Sequence, residues 1–212
     1  MKALIIGDVQ NDFMPGGSLA VPDGDAIIPV INRISGKFDL VVAVQDWHPP
    51  GHKSFASNHQ GRRPFETIDL NGIPQTLWPD HCVQGTFGAE FHADLDLRRA
   101  EAIFRKGVDP EIDSYSAFFD NQRRRSTGLA GYLREKKIDE IYGCGVAGDI
   151  CVYYTLKDAL ASGFKVVLIE DAAKPLDAAA YKTIKADLVK NGGRMALSAD
   201  LDGGEFLAIR RD

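Results

Sequence analysis

Short, nearly unbroken apolar runs recur along this chain, and four of them end on a side chain that can do chemistry. Ala3–Gly7 runs into Asp8, and Leu40–Gln45 runs into Asp46, Trp47 and His48. The run from Glu101 to Arg105 ends at Lys106, and Glu140–Ala147 passes through a tight turn to Cys151. Runs of this length, rich in Val and Ile, read as strands buried on both faces. Further strands are expected at Phe164–Ile169 and, as a short last one, Met195–Ser198. Between the strands apolar residues take helical spacing. Gly24–Ser35 places Ile27, Ile28, Val30, Ile31 and Ile34 on its inner side, and further helices are expected at Leu129–Lys137, Asp149–Ser162 and from Pro175, a residue suited to a first helical position, to about Lys190. Strands alternating with helices predict an α/β fold: a single-domain three-layer α/β/α arrangement with a mostly parallel, Rossmann-like sheet.

In an open parallel sheet, ligands bind in the crevice beyond the carboxyl ends of the strands. A carboxylate, a candidate metal pair, an amine and a thiol would therefore meet in one place, which packing alone does not require. The alternation breaks once, over roughly fifty residues from about 46 to 99, a length that in a compact domain is usually functional or disordered. This stretch carries two tryptophans together with His48, His52, His59 and His81. Function is the better reading.

The 212 residues suffice for one well-cored domain, 1–212, and are short for two. A net charge of −5 argues against a nucleic-acid partner, since such domains carry a basic face. The one basic run, Arg123-Arg124-Arg125, reads as a solvated loop. No apolar stretch approaches a membrane span or the core of an export signal, so no membrane partner is expected. Three cysteines, an odd number, suit a reduced cytoplasmic protein better than a disulfide framework.

Among the cysteines, Cys144 lies inside an apolar strand and reads as a small hydrophobe. Cys82 follows His81 in the long loop, as a ligand or a buried neighbour. Cys151 stands two residues after Asp149, a good N-cap type, and so is expected in a helix's first turn, where free N–H groups and the dipole favour a thiolate and could hold an oxyanion. Lys106 would favour the same thiolate, and Asp8 could carry a proton. Asp46-x-His48 with a returning His81 makes a carboxylate–imidazole set for one divalent ion, with Zn²⁺, Fe²⁺ and Mn²⁺ all compatible. On spacing alone, His52 and His59 remain alternative third ligands.

A competing signal is Gly143-Cys144-Gly145-Val146-Ala147-Gly148, a G-x-G-x-x-G between strand and helix, with Glu170 and Asp171 ending the next strand. It would mark a dinucleotide-dependent oxidoreductase. It lies late in the chain, however, and leaves Asp8, Lys106 and the histidines unexplained.

Taken together, the segments Asp8-Val9-Gln10-Asn11-Asp12-Phe13 with Gly16-Gly17-Ser18-Leu19, Gln45-Asp46-Trp47-His48-Pro49, Trp78-Pro79-Asp80-His81-Cys82-Val83-Gln84-Gly85-Thr86, Arg105-Lys106-Gly107, Asp113-Ser114-Tyr115-Ser116-Ala117-Phe118 and Gly145-Val146-Ala147-Gly148-Asp149-Ile150-Cys151-Val152 resemble the nicotinamidase/pyrazinamidase family of the isochorismatase-like cysteine hydrolases. The resemblance implies that family's hydrolase fold and a catalytic triad of Asp8, Lys106 and Cys151. It implies a metal on Asp46, His48 and His81, zinc foremost, which selects His81 over His52. It further implies an oxyanion hole from the N–H groups of Ala147 and Cys151, helped by a cis Val146–Ala147 peptide, and a pocket lined by Phe13, Trp78 and Tyr115. The implied reaction is hydrolysis of nicotinamide to nicotinate and ammonia through a cysteine thioester, with pyrazinamide as a second substrate, in pyridine-nucleotide salvage. The ring nitrogen would bind at or near the metal. Rivals are another small-carboxamide amidase of the superfamily, metal–water hydrolysis with Cys151 structural, and a metal-bound binding domain without catalysis. A homo-oligomer stays open. Two residues depart from the family pattern: Gly7, where a β-branched residue is usual, and Gly148, where threonine is common.

Overall fold

The structure is a computed structural model describing residues 1–202; the rest of the expected 1–212 domain, and with it most of the Asp202–Asp212 segment, lies outside the described residues. Its strands are β1 Lys2–Gly7, β2 Leu40–Asp46, β3 Thr67–Leu70, β4 Ile73–Thr76, β5 Ala100–Lys106, β6 Glu140–Gly145, β7 Lys165–Ala173 and β8 Arg194–Ala196. Its α-helices are α1 Ile28–Ile34, α2 Leu129–Glu135, α3 Tyr153–Ala161 and α4 Ala178–Lys190. Six strands form one sheet in the order β5-β2-β1-β6-β7-β8, and every pairing in it is parallel. The chain works outward from β1 in one direction, then crosses back and works outward from β6. The strand order therefore reverses between β1 and β6, the position where open α/β sheets bind ligands.

Alternation along each strand divides the core into two layers. Leu4 and Ile6 of β1 join the cluster that holds Ile28, Ile31 and Ile34 of α1. Ala3 and Ile5 join the opposite cluster, with Leu129 and Leu133 of α2, Leu156 and Ala159 of α3, and Tyr181 and Leu188 of α4. The three layers are thus helix, sheet, helix, as the periodicity predicts. Among the described residues no helix is long and apolar enough to cross a membrane.

The differences from expectation have local causes. The first helix is α-helical only over Ile28–Ile34, flanked by 3-10 turns at Gly24–Ile27 and Ser35–Lys37; Pro29 suits a first turn and no deeper position. The region read as one long loop contains the antiparallel hairpin β3–β4. Its turn is Asn71-Gly72, with φ of 57° and 86°, the two-residue type that asparagine and glycine favour. That dipeptide was the available signal.

The glycines of the G-x-G-x-x-G turn face the protein's own atoms. A Cβ on Gly145 would come within 2.0 Å of the Gly7 carbonyl oxygen, one on Gly143 within 2.9 Å of Leu156, and one on Gly148 within 3.0 Å of the Tyr181 ring. All three glycines make space for the protein's own packing. The Gly148 departure also finds its reason here. Its φ is not positive, so its backbone does not call for glycine; the Tyr181 ring from α4 lies 3.0 Å from where a Cβ would stand, so a threonine would need that ring to give way. Gly7 differs, because a Cβ there would meet its neighbours at ordinary contact, 3.4 Å or more.

Candidate active site and metal centre

The four predicted strand ends converge. Lys106 closes β5 and stands in register with Asp46 of the neighbouring β2, while Asp8 follows β1 and Cys151 follows β6. The Lys106 side chain is 1% exposed, and its ammonium donates to Asp46 Oδ1 at 2.5 Å, to the Ser114 carbonyl at 3.2 Å and to Cys151 Sγ at 3.4 Å. Asp8 Oδ2 is 3.2 Å from the same nitrogen. One cation therefore joins the Cys151 thiol and the carboxylates of Asp8 and Asp46. The Asp46–Lys106 bond was not foreseen from sequence, because it arises from strand register.

The electrostatics follow from burial and charge. Burial pushes the Asp8 carboxyl up, with Asp46 adding to it; Lys106 restrains the rise, and the result is about 6. Burial opposes the charge on Lys106, but Asp46 and Asp8 outweigh it and hold the ammonium well above the ordinary lysine value. At Asp46 burial is again overcome, by Lys106 and His48, so this carboxylate stays ionised far below its usual range. Cys151 corrects an expectation. Burial raises its pKa well above normal and the two carboxylates reinforce that, outweighing Lys106, so its surroundings favour the thiol over the thiolate. The helix start assists less than the N-cap pattern suggests. The turn Gly148–Val152 is π-helical with Ala147 before it, and Asp149 does not cap it. Asp149 instead accepts from the N–H groups of Leu176 and Asp177, both at 2.8 Å, and so ties the segment before α4 to the turn that carries Cys151.

The Val146–Ala147 peptide is cis, and the Ala147 carbonyl accepts from the N–H groups of Ile150 and Val152. Among the described residues the Ala147 N–H meets no acceptor. Ala147 and Cys151 line one cavity, together with Phe13, Trp78, Tyr115, Asp46 and His81. Trp78 and Tyr115 meet edge to face at 6.2 Å. Asp113, Ser114, Ile150 and Leu176 also line it and were not assigned there from sequence.

Asp46 Oδ2 is 3.6 Å from His48 Nε2 and 3.8 Å from His81 Nε2. The ligand atoms of all three residues lie within 4.8 Å of one another, which suits one bound ion. Both rings are held by the other nitrogen: His48 Nδ1 bonds the Gly107 carbonyl at 2.9 Å and His81 Nδ1 the Pro79 carbonyl at 2.8 Å. Those bonds turn each Nε2 lone pair toward Asp46, the usual support of a metal-binding imidazole. Burial and neighbouring His48 lower His81 to about 4, so it is neutral near pH 7, whereas at His48 burial is outweighed by Asp46, which raises it, so an ion bound there would displace a proton. The residues therefore fit a divalent ion. His59 bonds the Lys53 carbonyl at 2.7 Å and is not gathered with Asp46, His48 and His81. The His52 ring lies tilted 4.5 Å from that of His48, and His52 groups with His48 and Asp113 rather than with Asp46.

Motif residues given no role by sequence reasoning turn out to hold the candidate ligands. The Gln10 amide clasps the Asp46 backbone, donating to its carbonyl and accepting its N–H, both at 2.8 Å. Asp12 accepts the Cys82 N–H at 2.7 Å, which anchors the loop carrying His81. Gly107 matters for what it lacks: at φ +65°, a Cβ would lie 2.2 Å from the His48 ring. Gly107→Ala is therefore expected to displace His48 and cut metal affinity about 10–100-fold, the cost typical of lost outer-shell support, measured by metal content after dialysis against a chelator.

The isochorismatase domain model matches residues 2–200 of the chain. The nicotinamidase of Acinetobacter baylyi is 55% identical over 175 residues, covering 82% of each chain. A solved nicotinamidase/pyrazinamidase structure from Acinetobacter baumanii superposes with a TM-score of 0.92 at 50% identity, covering 94% of this chain and 97% of its own. The pyrazinamidase of Pyrococcus horikoshii, solved in complex with zinc, superposes with a TM-score of 0.76 at 38% identity, covering 92% and 98%.

Proposed function

This chain belongs to the isochorismatase domain family, on its nicotinamidase/pyrazinamidase branch, and from that premise we propose that it hydrolyses nicotinamide to nicotinate and ammonia through a thioester on Cys151. The observation that carries the mechanism is the buried Lys106 ammonium within 3.4 Å of Asp8, Asp46 and Cys151 together.

With a resting thiol at Cys151 and a carboxylate at Asp8 tuned to about 6, the proton moves from sulfur to Asp8 as the thiol attacks the carboxamide carbon. The S–C bond forms and the carbonyl π pair moves onto oxygen, where the N–H groups of Ala147 and Cys151 hold it. Collapse breaks the C–N bond, and Asp8 gives its proton to the departing nitrogen, releasing ammonia. Water then attacks the thioester while Asp8 takes its proton. The C–S bond breaks, nicotinate leaves, and Asp8 returns the proton to sulfur. Lys106 stays charged throughout and stabilises each anion as it forms. Phe13, Trp78 and Tyr115 present aromatic surface to the flat ring.

Asp46, His48 and His81 would hold one divalent ion, Zn²⁺ in our assignment, the metal with which the pyrazinamidase of Pyrococcus horikoshii was solved. When bound, it supplies orientation and polarisation of the substrate. Pyrazinamide, with the same carboxamide on a similar ring, is the second substrate.

The test is ammonia release from nicotinamide by the metal-loaded protein across pH. Asp8 must be ionised to accept the thiol proton, so kcat/KM is expected to fall tenfold per unit of acidity below about 6. A folded, metal-loaded protein that releases no ammonia sinks the assignment. An acid limb that stays flat well below that value removes Asp8 as the base.

A further inference from the structure

Gln75 stands out on the hairpin β3–β4. Its neighbours there are exposed or half-buried, yet its own side chain is fully buried. The carboxamide nitrogen donates to the Thr76 carbonyl at 2.7 Å, to Asp113 Oδ2 at 3.1 Å and to Tyr115 Oη at 3.2 Å. The amide's orientation is set by its partners. A backbone carbonyl and a carboxylate can only accept, so the nitrogen must face them; the reverse placement would set Oε1 against two acceptors. Oε1 has no partner among the described residues, so a buried polar group goes half-used to keep this arrangement.

The two side chains that Gln75 grips flank Ser114. Asp113, Ser114 and Tyr115 all line the cavity, and the Ser114 carbonyl between them is an acceptor for the Lys106 ammonium. The segment's backbone N–H groups are tied close by, Ser114 to Asp113 Oδ1 at 2.8 Å and Tyr115 to Asn121 Oδ1 at 3.0 Å, while the Tyr115 ring also meets Trp78 and Tyr154. Gln75 thus brings an anchor from a separate element to both ends of the tripeptide that forms one wall of the pocket and helps aim Lys106.

We propose that Gln75 is a positioning residue for the reaction, acting through Asp113 and Tyr115 to set the pocket wall and the Ser114 carbonyl that orients Lys106. The inference rests on the nicotinamidase reading and deepens it. Removing the donor while keeping the bulk should loosen the wall, weakening ring binding and misplacing the ammonium.

The experiment compares parent, Gln75→Met and Gln75→Asn for KM and kcat with nicotinamide, alongside thermal unfolding. Gln75→Met is expected to raise KM and lower kcat/KM by about tenfold or more, the loss that follows from one or two broken buried hydrogen bonds. Gln75→Asn keeps the amide on a shorter arm and should fall between the two. If the Met variant does not fold, the Asn variant decides. A shifted unfolding temperature with unchanged KM and kcat in either folded variant would assign Gln75 to packing alone and overturn the inference. An active parent with unaltered variants defeats only this inference. An inactive parent defeats the nicotinamidase reading and this inference with it.

Discussion

Cys151→Ala is expected to abolish ammonia release from nicotinamide, by at least about 10⁴-fold, while nicotinate affinity and metal content stay near those of the parent. The substitution removes one buried sulfur and no charge. Its packing cost is on the order of 1 kcal/mol, so the fold survives and the loss is chemical. Asp8, Lys106, the N–H of Ala147 and the aromatic wall all remain, yet nothing is left to form the acyl intermediate. Ammonia assays with parallel ligand titration separate the outcomes. Release by the variant at a rate near the parent's would make water the nucleophile and Cys151 a packing residue. Lost binding together with lost activity would mean that the site had collapsed, and the experiment would then be read through the thioester itself, trapped on the parent and identified by mass.

Lys106→Met should strike both stability and rate. The ammonium lies between two buried carboxylates, and methionine keeps its bulk while discarding its charge. Breaking a buried ion pair from one side typically costs about 3–5 kcal/mol, because the remaining charge is left uncompensated. For a chain of this size that corresponds to a fall in Tm of roughly 6–20 °C. Asp8 and Asp46 would both be driven toward their neutral forms, which removes the base and weakens the metal set at once. Activity is expected to drop by more than about 10³-fold. Calorimetry and ammonia assays check the two halves separately. An unfolding midpoint within a degree or two of the parent's would show that the carboxylates do not depend on Lys106, contrary to the geometry.

The order of strands and helices could be read from periodicity because both faces of the central strands β1, β2, β6 and β7 are buried, which leaves long apolar runs; the edge strand β5 is instead exposed at Glu101, Ile103 and Arg105. Their reactive ends were legible for the same reason: Asp8, Asp46, Lys106 and Cys151 each interrupt a hydrophobic run at its carboxyl end. The six motifs then named the family and the residues to look for. The hairpin β3–β4 escaped because its strands are short and mostly exposed, and only the Asn71-Gly72 turn announced it.

Contacts that depend on which strands become neighbours were beyond reach of the chain order. The register of β5 against β2 places Lys106 on Asp46, sixty residues away, and no local pattern encodes that pairing. The protonation of Cys151 is likewise a property of its surroundings. A helix start predicts a thiolate, whereas burial beside two carboxylates reverses the preference, since desolvation and charge act through space. Gly148 makes sense only against Tyr181, and Gln75 only against Asp113 and Tyr115. Residue type and spacing along the chain dictate what each side chain can do, but charge, burial and neighbours, which exist only once the sheet has closed, dictate what it does.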